Sequence, residues 1–209
     1  MILLVGGEKG GTGKTTLAVN LAAYHQGQGR DVVIVDTDTQ GSALDWSYYR
    51  QDSGLPPIPC LQLTGRKLIK EIEASRRDVI IDAGGRDSPE LRAGMVLCDV
   101  LLVPLRASQY DIASMEKIVD LLHQAATSNP GIRCIVVING LKSNPRIPEF
   151  TEAVQALKEY KDVQVLPFPI IDRMSYARSG AEGKGVHEMA DPKATAEIRN
   201  LYEAIYGKV

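Results

Sequence analysis

Ten residues near the start of the chain, Gly7-Glu8-Lys9-Gly10-Gly11-Thr12-Gly13-Lys14-Thr15-Thr16, follow the pattern GxxxxGK[ST] except at its first glycine, where Glu8 stands beside Gly7. The chemistry of such a segment is phosphate binding. Glycines let backbone N–H groups turn inward around phosphate oxygens. A helix beginning near Gly13 adds the positive end of its dipole. Gly10, Gly11, Thr12, Gly13, Lys14, Thr15 and Thr16 are the candidate contacts. Lys14 would neutralise charge between the outer phosphates, and the Thr15 hydroxyl would ligate Mg²⁺.

Two apolar runs end in carboxylates. Val32-Val33-Ile34-Val35-Asp36 leads into Thr37-Asp38, and Asp78-Val79-Ile80-Ile81-Asp82 leads into Ala83-Gly84-Gly85. A carboxylate at the C-terminal edge of a parallel strand points into the ligand crevice. Asp82 reads as the acid that holds Mg²⁺ through water. The small residues after it permit close approach to a terminal phosphate, with Gly85 as the contact. Asp36 taken alone also suits a strand-end cap, and Asp87, just before Ser88-Pro89, suits either a nucleotide-switch residue or, in better accord with Ser88-Pro89, a helix N-cap.

These residues need a scaffold that gathers strand ends. Apolar runs at Ile2–Val5, Val32–Asp36, Cys60–Leu63, Val79–Asp82, Val100–Pro104, Cys134–Asn139 and Val163–Leu166 read as strands. Several are apolar on both faces, as strands covered by helices on both sides must be. Helical patterns lie between them at Gly13–Gln28, Ser42–Gln51, Arg66–Ser75, Pro89–Leu97, Ile112–Ser128, Pro148–Tyr160 and Thr195–Tyr206. The alternation predicts an α/β fold: a doubly wound, mostly parallel sheet of about seven strands with helices on both faces. No linker divides residues 1–209, so a single domain is expected.

Composition narrows the function classes. Hydrophobic residues are 44 % and aromatics 5 %, which predicts an aliphatic core. A net charge of -2, from 24 basic and 26 acidic residues, excludes a strongly basic nucleic-acid binder but leaves room for a local basic face. No apolar run approaches the roughly 18–20 residues that span a membrane, and no secretory leader is recognisable. Cys60, Cys98 and Cys134 are dispersed and odd in number, which suits a reducing cytoplasm.

The second lysine separates this loop from an ordinary one. Lys9-Gly10-Gly11-Thr12-Gly13-Lys14-Thr15 resembles the deviant Walker A of the ParA/MinD family of P-loop ATPases. Asp36-Thr37-Asp38-Thr39-Gln40-Gly41 resembles that family's DxDPQG segment, with Thr39 where proline is usual. The resemblance covers nearly the whole chain and is nearest to a short ParA-type partition ATPase. It implies ATP and Mg²⁺ as cofactors and a homodimer with ATP, in which Lys9 reaches the partner's nucleotide. Lys9, Lys14 and Asp38 become the catalytic set, with Asp38 positioning the attacking water. Asp36 joins Thr15 and Asp82 in the metal region.

The resemblance reaches other segments with less detail. Related P-loop folds read adenine with an asparagine at the position of Asn139, which as a bare residue also suits a turn. Pro167 could wall the base through backbone contacts. Asp111 lies where short members carry a loop facing the dimer partner, with Ser108 in place of proline.

The implied activity is slow, partner-stimulated ATP hydrolysis. The ATP-bound dimer would bind nonspecific DNA, and a ParB-like or other adaptor would release it, so that plasmid or other DNA cargo is partitioned. Cytoplasmic localisation, on the nucleoid when ATP is bound, follows. Arg173, Arg178, Lys184 and Lys193 are the candidate DNA contacts. Three rivals belong beside this reading. A MinD-like membrane-positioning ATPase needs a basic amphipathic tail beyond Ile198, Leu201, Tyr202 and Ile205, so no stable membrane association is expected. An Fe–S reductase needs cysteines at the dimer axis. Positioning of a protein cargo is a sibling that the sequence does not separate.

Overall fold

The computed structural model describes residues 1–142 and 148–207. Seven parallel strands form the main sheet: β1 (Ile2–Gly7), β2 (Val32–Asp36), β3 (Cys60–Gln62), β4 (Asp78–Gly85), β5 (Val100–Leu105), β6 (Arg133–Leu141) and β7 (Val163–Val165). Their spatial order is β3-β2-β4-β1-β5-β6-β7. An eighth, β8 (Ile170–Ile171), pairs parallel with the far end of β6 at Asn139 and Leu141. The seven-stranded expectation holds, and β8 is an addition to it.

Both faces of the sheet are covered, and the side-chain alternation of the strands shows why. Leu3, Val5, Ile34, Ile80, Leu102, Ile135 and Val137 point to one core. Their neighbours Leu4, Val33, Val35, Ile81, Leu101, Val103, Val136 and Ile138 point to the other. The first core is closed by α1 (Lys14–Gly27), α2 (Ser42–Asp52) and α9 (Pro192–Tyr206), through Leu17, Leu21, Trp46, Ile198, Leu201 and Tyr202. The second is closed by α3 (Gly65–Ala74), α4 (Pro89–Leu97), α6 (Met115–Ala126) and α7 (Glu149–Leu157), through Leu68, Leu91, Met95, Met115, Ile118 and Leu157. The apolar stripe of α9 is therefore consumed by the core. Among the described residues no helix is long and apolar enough to cross a membrane.

Capping fixes several boundaries. The Ser88 hydroxyl accepts from Leu91 N at 3.1 Å, with Pro89 in the first turn of α4. Ser88, not Asp87, is thus the cap, and Asp87 instead pairs with Arg92 at 2.7 Å. Asp191 caps α9 by accepting from Lys193 N and Ala194 N, both at 3.1 Å, so the helix starts three residues before Thr195. The long helix read over Ile112–Ser128 is two: α5 (Gln109–Ala113), capped by Ser108, and α6. Their break lies at Ser114, whose hydroxyl bonds Asp111 O. Asp111 itself is held by the Ser108 hydroxyl. The short α8 (Met174–Ala181) was not legible, since only Tyr176 and Ser179 of it are buried.

The cysteines belong to this packing. Cys98 precedes β5 and Cys134 opens β6, at the opposite end of those strands from their C-terminal edge. Burial pushes all three thiols up to about 12. They are core fillers, in positions that do not suit a cluster on an exposed axis.

Candidate active site

The C-terminal ends of β1, β2 and β4 meet at one crevice because the three strands are neighbours in register. Asp36 stands beside Asp82, and Gly7 beside Gly85. The loop from Gly7 to Gly13 follows β1 and opens α1, the strand–loop–helix context that the motif requires. Gly13 sits at φ +89, and a Cβ there would lie 2.2 Å from Asn139 Nδ2. Gly85 is packed as closely: a Cβ would lie 2.8 Å from Lys14 Nζ and 2.8 Å from Lys9 O. Only glycine lets β4 approach the loop to this distance.

Charge is concentrated here with little to neutralise it. Lys14 is buried, donates to Lys9 O at 2.7 Å, and has its pKa lowered by desolvation, against which Asp82 and Asp38 act. Asp82 is 1 % exposed, and neither carboxylate oxygen has a hydrogen-bond partner. Burial pushes its carboxyl up to about 7, while the Thr15 side chain and Lys14 act in the other direction. The Thr15 side chain is close enough to act on Asp82, yet it makes no hydrogen bond of normal geometry to either oxygen. Two orphaned carboxylate oxygens beside a threonine hydroxyl are a hard-oxygen donor set that suits Mg²⁺.

Asp36 and Asp38 divide differently from the expectation. Asp36 is fully buried, and its oxygens accept from Asp38 N at 3.0 Å, Ala43 N at 3.0 Å and Leu44 N at 3.2 Å. It caps α2 and braces the Asp38 loop. The amides bonded to both its oxygens favour the cap and brace role over direct contact with a metal. Burial raises its pKa and those amides pull it back. Asp38 is half-buried and faces the crevice: its Oδ1 accepts from Gln40 N at 3.0 Å, and its Oδ2 would lie 3.3 Å from a Cβ on Gly84. The crevice between the two loops is lined by Thr37, Asp38, Gln40, Gly84, Gly85 and Arg86. Lys9 is exposed at the loop's crest.

The base-side expectations change more. Asn139 Nδ2 donates to Thr12 O at 2.6 Å, so the side chain grips the loop with one of its two amide hydrogens. A cavity beside the loop is lined by Gly13, Thr16, Arg106, Asn139, Asp172 and Tyr176, among others. Pro167 is exposed and does not line it; β8 and the start of α8 supply that wall. Arg106 escaped the sequence reading altogether. Its guanidinium donates to Gly11 O at 3.1 Å and Gly140 O at 3.2 Å.

The four basic candidates for DNA also separate. Arg173 points inward, donating to Glu197 Oε1 at 2.7 and 2.9 Å. Lys184 pairs with Glu182 at 2.7 Å. Arg178 and Lys193 are exposed, with no ion pair among the described residues.

A phosphate loop, a buried carboxylate with free valence and a half-exposed second carboxylate on a parallel sheet define a P-loop nucleotide-binding protein. The sequence profile of the CobQ/CobB/MinD/ParA nucleotide binding domain matches residues 3–186, and the chain belongs to that family. Its ParA/MinD members are ATPases. The chain is 28 % identical over 195 residues to the maintenance of carboxysome distribution protein A of Halothiobacillus neapolitanus, covering 90 % of this chain and 87 % of that one. It is 27 % identical over 235 residues to the chromosome-partitioning ATPase Soj of Thermus thermophilus, covering 97 % and 94 %. A solved Borrelia burgdorferi B31 protein, assigned to plasmid partition and bound to AMPPNP, superposes with a TM-score of 0.76 at 17 % identity, covering 100 % and 99 %.

Proposed function

We propose that this chain is an ATP-driven dimerising switch that partitions or positions a cargo. The observation that carries the reading is the convergence of Lys14, Asp38, Asp82 and Gly85 on one crevice at the ends of adjacent parallel strands. ATP and Mg²⁺ are its cofactors, and the whole chain acts as one domain. When bound, Mg²⁺ supplies charge neutralisation at the outer phosphates.

This chain's own residues do the rest. The amides of Gly10 to Thr16 hold phosphate oxygens. Lys14, kept in a desolvated pocket, offers its charge to developing negative charge on the leaving group. Thr15 and Asp82 hold the metal, and Asp36 keeps the Asp38 loop in place. Asp38 orients a water and accepts its hydrogen bond from the crevice side. Lys9, exposed on the crest, is placed to reach a second copy. Nucleotide then controls association, and an adaptor stimulates an otherwise slow hydrolysis.

Association also makes a weak basic surface adequate for DNA, because a dimer presents it twice. Arg178 and Lys193 are the residues proposed for it; the inward ion pair of Arg173 and the surface pair of Lys184 with Glu182 make those two second choices. The protein would then be cytoplasmic and track the nucleoid. Cargo could be DNA, as the name of the Soj relative suggests, or a protein body, as the name of the carboxysome-distribution relative suggests. An Asp38→Ala protein, slowed in hydrolysis, should be retained on nonspecific DNA with ATP and released at high salt. Equal retention with ADP and ATP, or none with either, contradicts nucleoid tracking.

A further inference from the structure

Two successive carbonyls of the phosphate loop are held from outside it. Gly11 O accepts from Arg106 Nη2 at 3.1 Å and from Nε at 3.4 Å. Thr12 O accepts from Asn139 Nδ2 at 2.6 Å. Arg106 follows the end of β5 and Asn139 lies near the end of β6, so both donors come from the side of the sheet away from Asp38 and Asp82. The same guanidinium also donates to Gly140 O at 3.2 Å, and a Cβ on Gly140 would lie 2.0 Å from Arg106 Nη1. Arg106 therefore ties three segments together: the loop, the end of β5 and the end of β6.

The planar trans peptide gives these bonds a consequence for ligand binding. The C=O of one residue and the N–H of the next belong to one rigid unit and point in opposite directions. Fixing Gly11 O fixes the direction of Thr12 N–H, and fixing Thr12 O fixes Gly13 N–H. A donor on the carbonyl also polarises the unit and makes its N–H a better donor. A loop made of glycines is otherwise free to turn these amides away, which costs affinity.

We propose that Arg106 and Asn139 form a clamp that presets the phosphate-binding amides of Thr12 and Gly13, with Arg106 as a positioning residue acting through Gly11 O. This rests on the nucleotide-binding reading above. The ligand it serves is the polyphosphate of any nucleotide, independent of the base. Lysine cannot replace Arg106, because one ammonium does not reproduce a planar fork that bridges two carbonyls.

The test measures displacement of a fluorescent ATP analogue from wild-type, Arg106→Gln and Arg106→Lys proteins, with ATP and with inorganic triphosphate as competitors. Arg106→Gln should weaken both competitors by a similar factor of about ten, the scale of one charge-assisted hydrogen bond. Its melting temperature without nucleotide should stay within about 2 °C of wild type, since Arg106 is exposed. Arg106→Lys should recover less than half of the loss. Weakening of ATP alone, with triphosphate unchanged, would assign Arg106 to the base and overturn the clamp. So would unchanged displacement by both, or full recovery with lysine. A wild-type protein that does not bind the analogue would instead overturn the nucleotide reading itself.

Discussion

Two buried charged centres in this molecule are finished in opposite ways. At the C-terminal edge of the sheet, Asp82 is enclosed with both oxygens unpartnered and burial lowers the pKa of Lys14. On the α2 side, Arg50 is 1 % exposed and every donor is used: Pro56 O at 2.8 Å, Gly183 O at 3.1 Å, Gln26 Oε1 at 3.1 Å and both Glu188 oxygens at 2.9 Å. Glu188 completes the set by accepting from Gly185 N at 2.8 Å. Burial raises the Glu188 pKa, and Arg50 and the Gly185 amide more than reverse that, leaving it lowered. The comparison teaches how to tell a site from a brace. Charge buried with its valence satisfied ties α2 to the segment before α9. Charge buried with its valence open is a place where something else must bind.

Breaking the satisfied centre should have the larger effect. Arg50→Ala leaves the Glu188 carboxylate half-buried without its counter-charge, and it removes a cation stacked 5.4 Å from the Trp46 ring. The expected loss is about 3–5 kcal/mol, a fall in melting temperature of roughly 10 °C in a thermal scan. A change within 2 °C would show that this centre is not a brace.

Relieving the open centre should go the other way. Because the folded pKa of Asp82 is raised to about 7, the folded chain holds that proton more tightly than the unfolded one. The stability this group contributes is present at low pH and is lost as pH rises from about 4 through about 7. Asp82→Asn removes the loss. At pH 8 without nucleotide it should melt roughly 3–6 °C above wild type, while losing Mg²⁺-dependent ATP binding. A lower melting point at pH 8 would mean that Asp82 already has a partner.

The same contrast explains what could be read from the sequence. The phosphate loop and the strand-end acids were legible because each is local: a short run of residues whose spacing already fixes the chemistry. Asp87 and Ser88 were misassigned only by one position, within one capping signal. What stayed hidden depends on distant partners. Arg106 meets Gly11 across 95 residues, Asn139 meets Thr12 across 127, and Arg50 meets Glu188 across 138. No periodicity or turn signal encodes such a meeting, so the loop contacts of Asn139 and Arg106 could not be read from the sequence. Asp36 shows a third case. Its two readings, cap and metal neighbour, are both compatible with a strand-end carboxylate, and the cap becomes visible only in the positions of Ala43 N and Leu44 N. β8 and α8 were too short for a pattern, yet they wall the cavity beside the loop.

The central claim is that ATP, held by Lys14 and, through Mg²⁺, by Asp82, and reached by Lys9 from a second copy, brings two chains together. Light scattering after size exclusion tests it most directly, using the Asp38→Ala protein with Mg²⁺ and either ATP or ADP. The account predicts a mass near twice the 22.7 kDa chain with ATP, and a single-chain mass with ADP or when Lys14→Ala is added. A single-chain mass under saturating ATP, or a dimer indifferent to nucleotide, would contradict it.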